Sequence, residues 1–240
     1  VLKPLDSVYK GKTLDTDRVE VKPVEIEAAS GQELRETVSV MGGEDWLWWM
    51  EALESADCLA EGCRTAAFTY IGPKLTWPIY WEGTIGKAKE DLDNTARLLD
   101  KQLMKYKGEA LVAVMKGLVT QASSAIPVVP LYISLLSRVL KEKGLQEGCI
   151  EQIYRMFSTR LYAGDAPERD GEGRIRMDDW EMREDVQAAI DELWPQITTE
   201  NLRQLTDFDG YKADFLKLFG FGLPGVDYEA DVDPVVKFND

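Results

Sequence analysis

Two short apolar segments, RTAAFTYIG (64–72) and ALVAVMKGLVT (110–120), decide the fold. Neither alternates apolar with polar residues, which is typical of strands buried in a parallel sheet. Between them, from about Thr84 to Tyr106, a helical pattern carries one apolar stripe, formed by Ile85, Ala88, Leu92, Ala96, Leu99 and Leu103. Strand, helix and strand predict a βαβ unit with a right-handed crossover. We therefore predict part of an α/β fold with a doubly wound, Rossmann-like parallel sheet.

The nucleotide-binding opening of such a fold is not visible in the sequence. It normally consists of a strand, a glycine-rich turn and a helix whose N-terminus receives the cofactor pyrophosphate. The nearest candidate, GFGLPG (220–225), lies near the end and has no helical pattern after it. The sequence also starts at Val1 rather than at Met. We therefore expect a processed form or a fragment, with the glycine-rich, N-terminal cofactor-binding half outside this chain.

The residues before the βαβ unit predict a hairpin and two helices. Apolar and charged residues alternate over about 12–29, which indicates an exposed hairpin or edge strands. Ser30 and Glu33 have the spacing of a capping box and predict a helix over about 31–40. Asp45 is expected to cap the next helix, whose apolar face has helical spacing and comprises Trp46, Trp49, Met50, Leu53 and Ala56.

The residues after the βαβ unit are predicted to be mainly helical, without a boundary that would divide 1–240 into two domains. A helix closed by Gly144 has an unusually apolar first half, and residues 163–179 form a loop with a short strand or turn. Asp178 or Asp179 is expected to cap an amphipathic helix, on which the acidic run Glu181–Asp185 is a solvated face. Core packing is the expected role of the tryptophans at positions 46, 48, 49, 180 and 194.

Composition excludes several function classes. With 43 acidic against 28 basic residues the net charge is -15, whereas a general nucleic-acid binder needs a basic stripe. Histidine is absent, so acid–base chemistry must use Tyr, Lys, Cys or a carboxylate. Histidine-based metal sites and nucleophile triads are excluded for the same reason, and we expect no metal site.

The cysteine content and the hydropathy of the sequence indicate the redox compartment of the protein and whether it spans a membrane. The three cysteines, Cys58, Cys63 and Cys149, are odd in number and lack zinc-ligand spacing, which indicates reduced thiols in a reducing compartment. The longest apolar run, 125–136, is interrupted by two prolines and is shorter than the roughly 20 residues of a membrane span. We therefore expect no membrane span.

The segment TYIGPKLTWPIYWEGTIGKAKEDLD (69–93) is the candidate active site. Tyr80 precedes the predicted helix and Lys89 lies in its second turn, so both side chains can converge near Tyr70, at the carboxyl edge of the sheet where ligands bind. A nearby ammonium favours ionisation of a phenol, and such a pair can stabilise an enolate. The alternative is structural, because Tyr–Pro–Trp clusters fill cores and lysines near helix starts are commonly solvated.

This segment resembles the signature of the FabV-type NADH-dependent trans-2-enoyl-CoA and enoyl-acyl-carrier-protein reductases, which belong to the extended short-chain dehydrogenase/reductase superfamily. The family's active site is a tyrosine, eight residues and a lysine, which Tyr80 and Lys89 match. A second family tyrosine, ten positions earlier, is matched by Tyr70. LVTQASSAIPVVPLYI (118–133) resembles the cofactor loop and substrate-binding helix. MGGEDW, EGCIEQ, DDWEM and LFGFG also look like family segments, so the resemblance covers nearly the whole chain.

The resemblance implies reduction of the 2,3 double bond of trans-2-enoyl thioesters by hydride from NADH, in fatty acid synthesis. Tyr80 would hydrogen-bond the thioester oxygen, and Lys89 would hold the cofactor and bias Tyr80 as a donor. Tyr70 would orient the enoyl-CoA or enoyl-ACP substrate. The nicotinamide half would be met by Leu118, Val119 and Thr120.

One departure from the family leaves a second hypothesis open. Family members have an additional N-terminal portion that is absent here, so a separate N-terminal half or a larger assembly is an expected partner. A truncated, catalytically silent relative that serves as a structural subunit would also fit. The amino-acid sequences of these segments resemble the mitochondrial members of the family more than the bacterial ones. This resemblance predicts that the protein is located in the mitochondrial matrix or the cytoplasm.

Overall fold

An antiparallel hairpin opens the chain. In the computed structural model, strand β1 (Tyr9–Asp15) pairs with β2 (Glu20–Ile26) along its full length. The predicted hairpin is confirmed, but it begins at Tyr9 rather than at residue 12, and Leu14 is buried in the main core instead of being exposed. The structure describes residues 1–162, 164 and 168–235.

Helix α1 (Gly31–Met41) starts at the predicted capping box. The Ser30 hydroxyl accepts a hydrogen bond from the Glu33 amide at 3.2 Å, and the Glu33 carboxylate accepts one from the Ser30 amide at 2.8 Å. Each group satisfies a donor that the first helical turn leaves unpaired. The same carboxylate lies 2.6 Å from the ammonium of Lys3, which ties the start of the chain to this helix.

Helix α2 (Glu44–Ser55) is not capped as predicted. Gly43 occupies the N-cap position and Asp45 lies within the first turn, where its charge still favours the helix dipole. The Gly43 amide donates instead to the carboxylate of Asp91 at 2.9 Å. The predicted core packing of the tryptophans is wrong at two positions, because Trp48 and Trp49 are 58% and 63% exposed.

A three-stranded parallel sheet forms the centre of the mixed α/β fold. Strands β3 (Arg64–Thr69) and β4 (Glu109–Val114) pair over all six residues, and β5 (Ile175–Arg176) pairs with the end of β4. The strand order is β3-β4-β5. The predicted βαβ unit and the short third strand are confirmed. Residues 163 and 165–167 of the predicted loop lie outside the described residues.

Strand β3 is less buried than its sequence predicts. Its residues alternate between exposed and covered positions, and Phe68 is 50% exposed. The prediction of a strand buried on both faces is wrong, since β3 is an edge strand of the described sheet and one of its faces is uncovered. Strand β4, at the centre, is buried almost throughout.

Helices cover both faces of β4. Helix α3 (Thr84–Leu103) buries its whole predicted stripe and, with α2, packs beside Ala110. Leu111 and Ala113 point to the opposite face of the strand, where they meet α6 (Cys149–Met156). A short 3₁₀ turn ends α3, and a π-helical turn ends α6.

Two helices follow β4 and lead into the main core. Helix α4 (Gln121–Ser124) is a single turn, and α5 (Val129–Glu142) is buried along most of its length. The predicted stop at Gly144 is confirmed, with a φ of +67° that suits glycine. Val128, directly before α5, has a φ of +73°, which is unusual for a β-branched residue.

The C-terminal helices pack on α5. They are α7 (Glu184–Leu193), α8 (Leu202–Leu205), which was not predicted, and α9 (Phe208–Lys217). The predicted cap of α7 is wrong, since the helix follows Arg183. Asp178 is buried and pairs with an arginine on β5 at 2.6 Å. Trp180 and Trp194 are half-buried. Across the described residues, no helix combines the length and apolarity required to cross a bilayer.

Candidate active site

The predicted site residues meet at one cavity of about 830 Å³, beyond the carboxyl ends of β3 and β4. Its lining includes Tyr70, Tyr80, Lys89, Leu118 and Thr120. Val119 is the exception, because its side chain is buried in the main core and lines a neighbouring cavity of about 590 Å³. The larger cavity has mostly apolar walls, to which Met41, Phe68, Ile126, Val129 and Ile133 contribute.

Tyr80 is positioned by a tight connection into α3. The Tyr80 amide donates to the Thr76 carbonyl at 3.0 Å, and the Tyr80 carbonyl accepts from the amide of Gly86 at 3.1 Å. A Cβ at Gly86 would lie 1.7 Å from the carbonyl oxygen of Trp81, so only glycine fits there. The tyrosine therefore projects from the start of the helix with little freedom.

The Tyr80 phenol is a neutral donor. Burial raises the pKa of Tyr80 well above its ordinary value, and the Lys89 ammonium does not offset this effect. The expectation that Lys89 makes Tyr80 more acidic is therefore wrong. Among the described residues the Tyr80 hydroxyl has no hydrogen-bond partner, which leaves it free to donate to a ligand in the cavity.

Lys89 lies in the second turn of α3, and its side chain is half-buried. Burial lowers the pKa of Lys89, and the carboxylate of Asp93, one turn further on, raises it in part. Asp93 is itself bound by Arg174 at 2.6 Å. Within the described part of the chain Lys89 forms no ion pair of its own, so its charge is available to an anionic or oxygen-rich group in the cavity.

Tyr70 lies against Tyr80. The two rings are 5.2 Å apart between centroids with an interplanar angle of 78°, an edge-to-face arrangement. The Tyr70 hydroxyl donates a hydrogen bond to the carboxylate of Glu181 at 2.8 Å. Burial and the neighbouring carboxylate raise the pKa of Tyr70 well above its ordinary value.

The predicted position of Glu181 is wrong. It was predicted to lie on a solvated helix face, yet it is 0% exposed and precedes α7. Its carboxylate also accepts from the Tyr132 hydroxyl at 2.7 Å and from the Gly117 amide at 2.6 Å. The only signal was that DDWEM (178–182) resembles a family segment. Spacing alone could not show that this carboxylate turns inward.

Lys116 and Gln152 were also missed. Lys116 is 3% exposed and lines the cavity, and its amide donates to the Gln152 side-chain oxygen at 3.0 Å. Burial lowers the pKa of Lys116, while the Glu147 carboxylate acts in the opposite direction. Lys116 lies inside the apolar segment 110–120, two positions after the end of β4, and nothing in that pattern marks it as a residue of the cavity.

The loop after β4 is braced by a second capping box. The Thr120 hydroxyl accepts from the Ser123 amide at 3.0 Å, and the Ser123 hydroxyl accepts from the Thr120 amide at 2.9 Å. The Ser123 hydroxyl also donates to the Leu118 carbonyl at 2.9 Å. These bonds fix the segment that the resemblance assigns to the nicotinamide half of the cofactor.

Comparison with known protein families identifies the class. Residues 1–162 match the family model described as the trans-2-enoyl-CoA reductase catalytic region. The chain belongs to the trans-2-enoyl-CoA reductase family. Residues 169–232 match a second model, described as the enoyl reductase FAD binding domain.

Relatives and solved structures agree with this assignment. An enoyl-[acyl-carrier-protein] reductase [NADH] of Vibrio cholerae is 55% identical over 99% of the chain. The trans-2-enoyl-CoA reductase of Clostridium acetobutulicum, solved with NADH, has a TM-score of 0.94 and 46% identity over 97% of the chain. The Treponema denticola trans-2-enoyl-CoA reductase, solved with NAD, has a TM-score of 0.91 and 48% identity over 99% of the chain.

The chain spans only part of these proteins. It covers 60% of the Vibrio relative and 59% of the Clostridium structure. These similar proteins are bacterial. They give no support to the mitochondrial location that was expected from the amino-acid sequences of the segments.

The segment matched by the FAD model does not fit a flavin. Its helices bury their apolar side chains in the main core, including Val186, Ile190, Leu202, Phe208 and Tyr211. Of the cavities described above, the smaller one receives side chains from this segment, namely Asp214, Lys217 and Leu218. Because the helices of this segment are committed to the core, no part of the reaction proposed below involves FAD.

Proposed function

We propose that this chain is the catalytic and substrate-binding portion of an NADH-dependent reductase of trans-2-enoyl thioesters, carried by coenzyme A or acyl carrier protein, in fatty acid synthesis. The observation that carries the proposal is the convergence of Tyr70, Tyr80 and Lys89 on one apolar-walled cavity. Family membership and the activities for which the relatives are named support it.

Tyr80 assists the reduction by donating a hydrogen bond to the thioester oxygen of the substrate. NADH, when bound, supplies a hydride to Cβ of the substrate. The electron pair of the double bond then moves toward the thioester oxygen, which becomes an enolate oxygen, and a proton from water completes the product at Cα. A neutral phenol aimed at that oxygen stabilises the developing charge. The raised pKa of Tyr80 keeps the phenol protonated for this role.

Lys89 and the loop after β4 are the proposed cofactor contacts. The Lys89 ammonium, which has no ion pair with any described residue, suits the hydroxyls of a ribose or the oxygens of a phosphate. Leu118, Val119 and Thr120 would meet the nicotinamide half through their backbone, because the bonds to Ser123 fix that backbone. Tyr70 orients the thioester by the position of its ring.

The apolar part of the cavity is the proposed acyl site. Ile126, Val129 and Ile133 share its wall and lie on the segment that begins α5. An acyl chain gains about 0.8 kcal/mol for each methylene group that it buries. The same residues also belong to, or adjoin, the main core, and the two roles are compatible.

The rest of the protein would supply the other half of the cofactor site. We infer that the sheet continues as a doubly wound, Rossmann-like sheet with a glycine-rich turn in an N-terminal half outside this chain. The free edge of β3 and the extra length of the relatives support this. Three free thiols fit a reducing compartment, and we propose the cytoplasm. The assembled site does not favour a catalytically silent subunit.

The test is NADH consumption by the full-length protein. We expect the absorbance of NADH to fall only when a trans-2-enoyl thioester such as crotonyl-CoA is present, with butyryl-CoA as the product. No turnover of crotonyl-CoA or of its acyl-carrier-protein counterpart would reject the proposed function.

A further inference from the structure

The buried carboxylate of Glu181 joins two residues that line the cavity, Tyr70 and Gly117, to the buried Tyr132. It accepts from the hydroxyl of Tyr70, which follows β3, from the amide of Gly117, which follows β4, and from the hydroxyl of Tyr132 on α5. The distances are 2.8, 2.6 and 2.7 Å. The side-chain amide of Gln187 donates to the Glu181 backbone carbonyl at 2.7 Å, which fixes the turn that carries the carboxylate.

Stability alone does not explain a carboxylate at this position. Burial of an ionised group costs several kcal/mol and is offset only by good hydrogen bonds. An apolar group of similar volume is commonly as stable in such a place. Among the described residues no cation lies within ion-pair distance of Glu181, although the Lys116 ammonium is near enough to interact with it electrostatically.

The contacts determine what Tyr70 can do. Its hydroxyl proton is donated to Glu181 and is not available to a ligand. Tyr70 therefore contacts a ligand through its ring. The Tyr70 ring in turn packs edge-to-face on Tyr80 at 5.2 Å between centroids. A shift of Tyr70 would therefore move the phenol that we assign to the thioester oxygen.

We propose that Glu181 is a positioning residue of the reductase site, which holds Tyr70 and the Gly117 amide at a fixed spacing across the cavity. The inference rests on the proposed function. It also gives the segment matched by the FAD model a role, which is to supply this carboxylate to the site rather than to hold a flavin.

The central variant is Glu181→Gln in the full-length protein. Glutamine keeps the volume, but it has one acceptor oxygen, so its amide group must face either the Gly117 amide or the tyrosine hydroxyls. We expect kcat for crotonyl-CoA to fall at least about tenfold, since small misplacements of catalytic groups have effects of this size. An unchanged kcat would overturn the inference.

A double-mutant cycle with Tyr70→Phe tests whether Glu181 acts through Tyr70. If it does, Glu181→Gln lowers kcat less in the Tyr70→Phe background than in the wild type. An equal fold-change in both backgrounds would overturn the link to Tyr70. If Glu181→Gln does not fold, Tyr70→Phe alone tests the same hydrogen bond, and an unchanged kcat would again contradict the inference.

Asp178→Asn is the matched control. Asp178 is a buried carboxylate in the same turn, but it bonds to Arg176 and not to Tyr70 or Gly117. We expect this variant to lower Tm and to retain kcat, while Glu181→Gln lowers kcat. An equal loss of kcat in both variants would indicate a general structural effect and overturn the inference. Wild-type turnover, measured first, tests the proposed function separately.

Discussion

At the scale of single residues, the chemistry depends on a phenol that stays protonated. We expect Tyr80→Phe in the full-length protein to lower kcat for crotonyl-CoA by roughly 10²–10³, the usual effect of removing an oxyanion donor. Steady-state kinetics with saturating NADH would measure it.

The control for this variant is Tyr106→Phe. Tyr106 binds Glu54 at 3.2 Å and does not line the cavity, so its loss should leave turnover unchanged. Full activity in Tyr80→Phe would show that another group donates to the thioester oxygen.

Lys89 is predicted to act on cofactor affinity. Lys89→Met keeps most of the apolar stem and removes the ammonium, so we expect the Kd for NADH to rise roughly tenfold or more, as for a lost charge-assisted hydrogen bond. Quenching of tryptophan fluorescence on titration with NADH would measure it. Lys87→Met is the matched control, because Lys87 lies two positions earlier on α3 and pairs with Glu90 in solvent. An equal Kd for wild type and Lys89→Met would reject the cofactor role.

Residue-scale prediction succeeded where spacing along one element was sufficient. Tyr80 and Lys89 flank the start of one helix, so their convergence followed from the sequence. Glu181 reaches the site from a turn 111 positions after Tyr70, and no local pattern encodes that contact. The pKa of Tyr80 was predicted in the wrong direction because burial, which a sequence does not display, outweighs the neighbouring charge.

At the scale of elements, the start of α1 gives a pH-dependent prediction. The Lys3 ammonium and the Ser30 amide lower the pKa of Glu33 from 4.5 to about 2. A folded-state pKa below the unfolded value adds stability above about pH 4.5, and this stability is lost as the pH falls toward 2. We therefore expect Glu33→Gln to be less stable than wild type at pH 7, and the difference to shrink below pH 4.5.

Urea unfolding at several pH values would measure this difference. Glu36→Gln is the control, because the Glu36 carboxylate accepts a hydrogen bond from the side chain of Gln32 on the same helix and forms no ion pair with any described residue. A Glu33→Gln difference that stays constant from pH 7 to pH 3 would contradict the linkage to Lys3.

Element prediction from the sequence was good for helices and weaker for caps and exposure. The stripe of α3 and the capping box of α1 were correct because both are local patterns. Asp45 is not the cap because the helix begins one residue before it, at Glu44, after Gly43, whose amide donates to the distant carboxylate of Asp91. The composition of β3 is typical of a central, buried strand, but β3 lies at the edge of the described sheet. Its burial depends on neighbouring elements, which its own residues do not reveal.

At the scale of the whole molecule, cofactor affinity should depend on the portion of the relatives that this chain does not span. We expect the 240-residue chain produced alone to bind NADH at least about tenfold more weakly than the full-length protein, because pyrophosphate contacts supply much of the affinity for dinucleotides. Titration calorimetry on both proteins would measure the two Kd values.

Circular dichroism would first establish that the shorter chain is folded. Equal Kd values would mean that these residues hold the whole cofactor. The sequence could show that no glycine-rich turn follows its predicted strands, but not the shape of a shared site, because the residues of one strand do not reveal which strand pairs with them.

The hairpin has a consequence for how the chain folds. Thr13 accepts from the strained Val128 amide across 115 positions, and Lys12 donates to the Ile197 carbonyl across 185. Contacts between such distant residues form late, since the loop-closure entropy must be overcome before they stabilise anything. Strand β1 must therefore wait until the residues around Ile197 have been made before its contacts are complete, so the docking of the hairpin should be a late and slow step of folding.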